Sequence, residues 1–173
     1  SPEVEKVALQ ISSPGGTVTG VEELANKVRG IGKPTLAYTD SEMASAAYWI
    51  ASAADRVVAS PSSTVGSIGV YMAIPDFSKA YGDAGVKMVV IKSSQSPLKV
   101  AGIEGTQLTD AQIADMQAQV DDIAEEFQQS IKQTRINVSQ DAFTGGTFSG
   151  KKAVQLGLAT GLADSFEEAL ASF

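Results

Sequence analysis

Apolar residues along this chain fall into short runs punctuated by glycine. The first run, Val4-Glu5-Lys6-Val7-Ala8-Leu9-Gln10-Ile11, stops at Ser12-Ser13-Pro14-Gly15-Gly16 and predicts a strand ending in a glycine turn. Val18, Val21, Leu24, Val28 and Ile31 follow at spacings of three and four, one face of a helix. Residues 34–38 predict a second strand, the Ala-rich stretch 44–54 with Tyr48, Trp49 and Ile50 a mostly buried helix, and residues 56–59 a third strand. This β-α-β-α-β alternation favours parallel strands joined by crossover helices, an α/β fold.

Beyond a second glycine cluster, Thr64-Val65-Gly66-Ser67-Ile68-Gly69-Val70, the pattern predicts a short helix around 77–81 and a strand over 86–91. The Ser-, Gly- and Pro-rich stretch 92–107 reads as a long loop, and loops of that length inside a domain are often functional. Thr109-Asp110-Ala111-Gln112 has the form of a capping box. Ile113, Met116, Val120, Ile123, Phe127 and Ile131 carry the helix it opens to about Arg135. That seam suits core packing or a subunit contact. After a turn at 144–147, residues 150–157 and 165–171 predict two short helices, the first ended by Gly157.

Composition narrows the chemistry. With 173 residues, 43% of them hydrophobic, the chain is long enough for one domain that buries roughly 70% of its unfolded surface. It contains no His and no Cys. A Ser-His-Asp triad, a Cys-His dyad, an HExxH zinc site, a disulfide scaffold and a thiol nucleophile are therefore all excluded within one subunit. A net charge of -7 opposes nucleic-acid binding, which needs a basic face, so no nucleic-acid partner is expected. No apolar run approaches the ~18 residues of a membrane span, and Ser1-Pro2-Glu3 does not open a signal peptide, so the piece as given reads as soluble. Asp121-Asp122 and Glu125-Glu126 read as the solvated face of the long helix; no metal or cofactor is expected.

What remains for metal-free hydrolysis is a Ser or Thr nucleophile activated by Lys, or a carboxylate pair. Ser45 opens the Ala-rich helix, where small neighbours admit a substrate carbonyl and the helix N-terminus favours developing negative charge. Read alone, it also fits an N-cap or a packing residue. Pro14-Gly15-Gly16 can turn backbone N–H groups into a cleft with no Cβ in the way, or can simply be a tight turn.

Four motifs occur together and in order: Ile11-Ser12-Ser13-Pro14-Gly15-Gly16; Ala44-Ser45-Ala46-Ala47-Tyr48-Trp49-Ile50-Ala51; residues 64–70; and Phe148-Ser149-Gly150-Lys151-Lys152-Ala153-Val154-Gln155-Leu156-Gly157-Leu158. From Pro2 onward the chain resembles the S49 serine peptidases, the family of signal peptide peptidase A and of phage capsid-assembly proteases. The resemblance implies a Clp-protease/crotonase-like spiral of β-β-α units and a Ser nucleophile with a Lys general base. Carried over by position, Ser45 is the nucleophile. Ala46 and a glycine of the turn, Gly15 or Gly16, supply oxyanion N–H groups, and Ser67 orients the lysine. Lys99, followed by Val100-Ala101-Gly102, matches the catalytic lysine best, with Lys92 in reserve, because the Ser-Gly pair and spacing usual before that lysine are altered here.

A free lysine titrates near ~10.4, and making it a base at neutral pH takes about 4 kcal/mol of destabilisation of its cation, most of it from burial. A Ser-rich loop on a lone monomer gives little. The expectation is a homo-oligomer in which Lys99 meets Ser45 of a neighbouring copy, acting on extended hydrophobic peptide or protein segments such as released signal peptides or phage scaffold. The chain is expected to form one catalytic domain over 1–173, without the preceding strands and membrane anchor found in family members. A bacterial membrane-associated or extracytoplasmic setting fits the first kind of relative, the host cytoplasm or procapsid the second. A catalytically silent scaffold and a crotonase-like acyl-CoA enzyme are the alternatives.

Overall fold

The computed structural model describes residues 3–173; Ser1 and Pro2, where the resemblance begins, lie outside the described residues. Two compact units make up the chain: one comprises the residues up to Val70 together with Ala124–Phe173, the other Tyr71–Ile123.

In the first unit, β1 (Val7–Gln10), α1 (Val21–Arg29), β2 (Thr35–Thr39), β3 (Glu42–Ala44), α2 (Ala46–Ser52), β4 (Arg56–Ala59) and β5 (Thr64–Gly66) follow one another. The second unit holds α3 (Ser78–Asp83) and the start of α4 (Asp110–Lys132). From Ala124 the first unit resumes with the rest of α4, followed by β6 (Thr147–Ser149), α5 (Gly150–Gln155), β7 (Gly161–Leu162) and α6 (Phe166–Ala171). Strands β1-β2-β4-β7 form an all-parallel sheet in that order. A second sheet, β3-β5-β6, has its first pair parallel and its last antiparallel. Residues of β2 are buried throughout, as befits a central strand covered on both faces.

The buried stripe of α1 runs through Val21, Ala25 and Val28, while Val18 and Leu24 of the anticipated face are exposed. Helix α1 packs against the Ala-rich α2, and Ala25 is fully buried. Trp49 of α2 stacks on Phe127 of α4 with ring centroids 4.5 Å apart and planes 8° from parallel. Phe127 and Ile131 are buried, whereas Ile113, near the start of α4, is exposed.

Four strands were not anticipated: β3, β5, β6 and β7 have only two or three residues each, too few for an alternation to register. The strand expected over 86–91 does not form. Its composition is right, but among the described residues no strand pairs with it, and an unpaired apolar run has no ladder to hold it extended. Among the described residues no helix is long and apolar enough to cross a membrane.

Candidate active site

The chain leaving β1 changes sheets. Ile11 still donates its N–H to Tyr38 of β2, but two residues on Ser13 pairs with Met43 of β3, donating to the Glu42 carbonyl and accepting from the Ala44 N–H. The Pro14-Gly15-Gly16 turn is thereby laid across the end of β3, where Ser45 begins. Parallel pairing of β3 with β5 sets Ala44 beside Gly66, and the Ser45 N–H donates to the Gly66 carbonyl at 2.8 Å. Three chain segments thus converge where parallel strands end, the usual position for a site in α/β sheets.

Ser45 takes φ 52° and ψ -127°, and its side chain does not cap α2 although it occupies the N-cap position. A non-glycine residue held there costs of order 1–3 kcal/mol, persists only when its surroundings over-determine it, and clusters at functional sites. Among the described residues two other non-glycine residues share a positive φ, Ser67 at 53° and Val100 at 68°. All three therefore sit at, or next to, residues singled out from the sequence: Ser45, Ser67 and Lys99. Ser67 is anchored by its N–H to the Gly146 carbonyl at 2.8 Å.

Gly15 explains itself by what a Cβ would strike. At φ +104° a Cβ would lie 2.6 Å from the Ser45 Cβ, 2.9 Å from the Ala44 carbonyl oxygen and 3.0 Å from the Ala46 nitrogen. Only glycine leaves the Ala46 N–H open, and among the described residues that N–H meets no acceptor. Of the two turn glycines, Gly15 donates to Ser13 Oγ at 3.2 Å, while the Gly16 N–H has no partner among the described residues. Ala46, next to Ser45 in the chain, and Gly16, in the turn whose Gly15 abuts Ser45, are accordingly two backbone donors left without a partner among the described residues, and both line the adjoining cavity.

Beside them lies a cavity of about 620 Å³ whose walls include Ala8, Leu9, Ile11, Val21, Ala47 and Ile50. Its apolar lining runs along β1, the outer strand of the four-stranded sheet. Val7 donates inward to the carbonyl of Pro34, just ahead of β2, and Ile11 to that of Tyr38 in β2, so by alternation Ala8 and Gln10 turn their N–H and C=O groups to the free edge.

The far end of α2 is held as firmly. Arg135, buried at the end of α4's extension, donates to the carbonyls of Ser52, Ala54 and Asp55, a cation on the negative end of the helix. Burial pulls its guanidinium below the ordinary arginine range, and the neighbouring Tyr48 and Asp55 oppose that pull. The Tyr48 hydroxyl donates to the Leu158 carbonyl at 2.7 Å, and burial pushes its pKa well up.

Lys99 and Lys92 belong to the second unit. Lys92 Nζ donates to the carbonyl of Pro97 and, at 3.5 Å, to that of Lys99 itself. Lys99 is exposed, and its Nζ has no hydrogen bond or ion pair among the described residues. The sequence preferred Lys99 for the Val100-Ala101-Gly102 that follows it, but gave no sign that the Lys92 amine folds back onto its own loop. The sequence marked Gln112 as part of a capping box and Arg135 as the end of the long helix, but not their bonds to the Leu98 and Lys99 carbonyls and to the end of α2.

Comparison with known proteins gives concordant results. Peptidase family S49 matches residues 27–172. Capsid assembly protease C of Escherichia phage lambda is 32% identical over 169 residues, covering 95% of this chain and 38% of that protein. Protease 4 of Salmonella typhi is 35% identical over 88 residues, 49% of this chain and 14% of its own. The chain thus spans about half or less of the length of the curated relatives it matches. Among solved structures, a mutant of the 1510-N membrane-bound stomatin-specific protease aligns with a TM-score of 0.55 at 12% identity, covering 98% of this chain and 70% of that one. The fold is α/β and Clp-protease/crotonase-like, as the motifs implied.

Proposed function

This chain belongs to peptidase family S49, and from that premise we propose that it is a serine endopeptidase with Ser45 as nucleophile and Lys99 as general base. The observation that carries the reading is the backbone at Ser45: a strained elbow with its hydroxyl released from capping, followed by the unpaired Ala46 N–H and abutted by a glycine turn whose Gly16 N–H is also unpaired among the described residues. Ser45 Oγ bonds to the scissile carbonyl carbon as its proton passes to Lys99 Nζ. The oxyanion that forms is held by the two N–H groups, each such donor worth about 3 kcal/mol in the transition state. Lys99 then gives the proton to the departing amine as the C–N bond breaks, and water resolves the acyl-enzyme.

An extended peptide suits the cleft. Laid along β1, it would pair with Ala8 and Gln10 and present alternate side chains to the apolar walls, so segments such as cleaved signal peptides or phage scaffold are the proposed substrates. Lys99 is the better base on the geometry of the loop, since Lys92 is already engaged as a donor to two carbonyls. Exposed on a single chain, Lys99 has its amine buried only in a homo-oligomer where it meets Ser45 of a neighbouring copy, with Ser67 orienting it. Titration with a fluorophosphonate tests the dyad. Labelling maps to Ser45, disappears in Ser45→Ala and falls at least ~100-fold in Lys99→Ala. A chain that resists the reagent altogether is a silent scaffold or an acyl-CoA enzyme instead.

A further inference from the structure

Within the unit Tyr71–Ile123 only one residue is buried, and it is polar: Gln112, 4% exposed. Its side chain has two ends with two different tasks. Through Oε1 it accepts from the N–H and the hydroxyl of Thr109, at 3.0 and 3.2 Å, while its own N–H donates to Thr109 Oγ1 at 3.3 Å; this is the capping box that starts α4. Through Nε2 it donates out of the helix to the carbonyls of Leu98 and Lys99, both at 3.3 Å. A cap needs only the first end.

The second end reaches a loop that is otherwise closed on itself. Ser96 N–H donates to the Ser93 carbonyl at 3.0 Å and Lys99 N–H to the Ser96 carbonyl at 3.1 Å, two successive turns. Lys92 folds back from the start of the loop to the carbonyls of Pro97 and Lys99. The Lys99 carbonyl therefore takes two donors, Gln112 Nε2 and Lys92 Nζ, and the residue after it is Val100, whose φ of 68° is sterically disfavoured for a β-branched side chain. That conformation turns the chain sharply immediately past Lys99 and would relax to an extended one if the carbonyl ahead of it were released.

We infer that Gln112 is a positioning residue for Lys99: its Nε2, together with Lys92, fixes the backbone that aims the Lys99 amine, while its Oε1 caps α4. This deepens the serine–lysine reading above and rests on it. The class of group acted on is a peptide backbone carbonyl, so the substitution that separates the two ends is Gln112→Glu. Glutamate preserves the acceptor of a capping box but offers the Leu98 and Lys99 carbonyls no donor.

The experiment measures the second-order rate of fluorophosphonate labelling at Ser45 across about pH 6 to 10, together with thermal unfolding, in the full chain. Gln112→Glu should unfold near the wild-type temperature yet label about 10-fold or more slowly at neutral pH, since small misplacements of a reacting group are costly. The midpoint of its pH–rate profile should move to higher pH. Gln112→Ala should lose labelling and thermal stability together. Lys92→Met, which removes the second donor without touching α4, should slow labelling about three-fold or more with an unchanged unfolding temperature, and carries the test if the Gln112 variants do not fold. If Gln112→Glu and Lys92→Met both keep the wild-type rate and profile while Lys99→Ala has lost labelling, the positioning role is overturned and the dyad stands. If Lys99→Ala labels like wild type, the dyad itself fails and the inference falls with it.

Discussion

At Gly15 and Ser45 the backbone, more than any side chain, defines what the site can do. Replacing Gly15 by Ala adds one carbon that must sit within 3 Å of three atoms around Ser45 while holding a φ suited to glycine. Gly15→Ala should therefore lose about 2–3 kcal/mol of stability in urea denaturation. The same change should slow phosphonate labelling at Ser45 by roughly 100-fold, since the added carbon lies against the Ala46 N–H. Full-rate labelling in that variant would remove the turn from the oxyanion site. The sequence showed that a glycine turn and an Ala-flanked serine existed, because those residue types restrict φ and bulk directly. It did not show which of the two glycines keeps a free N–H, since that depends on Ser13 turning its hydroxyl toward Gly15.

Helix α2, with only seven residues, is too short to be stable by itself and takes its position from contacts at every side. Tyr48 is the most easily interrogated of these. Its hydroxyl is neutral in the fold and its pKa is raised, so this contribution is complete below about pH 10, the ordinary tyrosine value, and is lost as pH climbs above it. Above about pH 10 the wild-type unfolding temperature should therefore fall more steeply than that of Tyr48→Phe. That variant begins about 1–2 kcal/mol less stable at neutral pH because the Leu158 carbonyl has lost its donor. Parallel slopes in the two proteins would show that Tyr48 does not titrate with unfolding. Elements of this size divide sharply in legibility. α4 was readable because a capping box and a seam of six apolar positions repeat one message over 23 residues. β3 and β5, which deliver Ser45 and Ser67, have three residues each and exist because the two pair with each other, a fact of topology that no local pattern encodes.

For the molecule as a whole, the contrast between its two units is the informative fact. The first has a dense apolar core; the second, carrying both candidate lysines, leaves Tyr71 88% and Ile91 93% exposed and has Gln112 as its one buried residue. In the proposed assembly this second unit meets another copy, which yields a direct test. Ser45→Ala and Lys99→Ala, each inactive alone, should regain activity when mixed and reassembled, with about a quarter of sites receiving an intact serine and an intact lysine if each site draws on two copies. No recovery in a peptide-cleavage assay would return the dyad to a single chain. Composition made part of this visible, since the absence of histidine left lysine among the few bases open to a serine nucleophile, but it could not say that the candidate lysine and serine belong to different units of the chain. The shared run from β1 into the second sheet has a mechanical corollary. Residues 7–10 bond to β2, Ser13 bonds to β3, and only a few residues separate the outward-facing Gln10 from the free N–H of Gly16. On the proposed reading, occupancy and alignment are therefore two readings of one lever: a peptide pulling on the edge strand would pull on the Gly15-Gly16 turn through the same backbone, so a ligand too short to engage that edge should lose turnover as well as affinity.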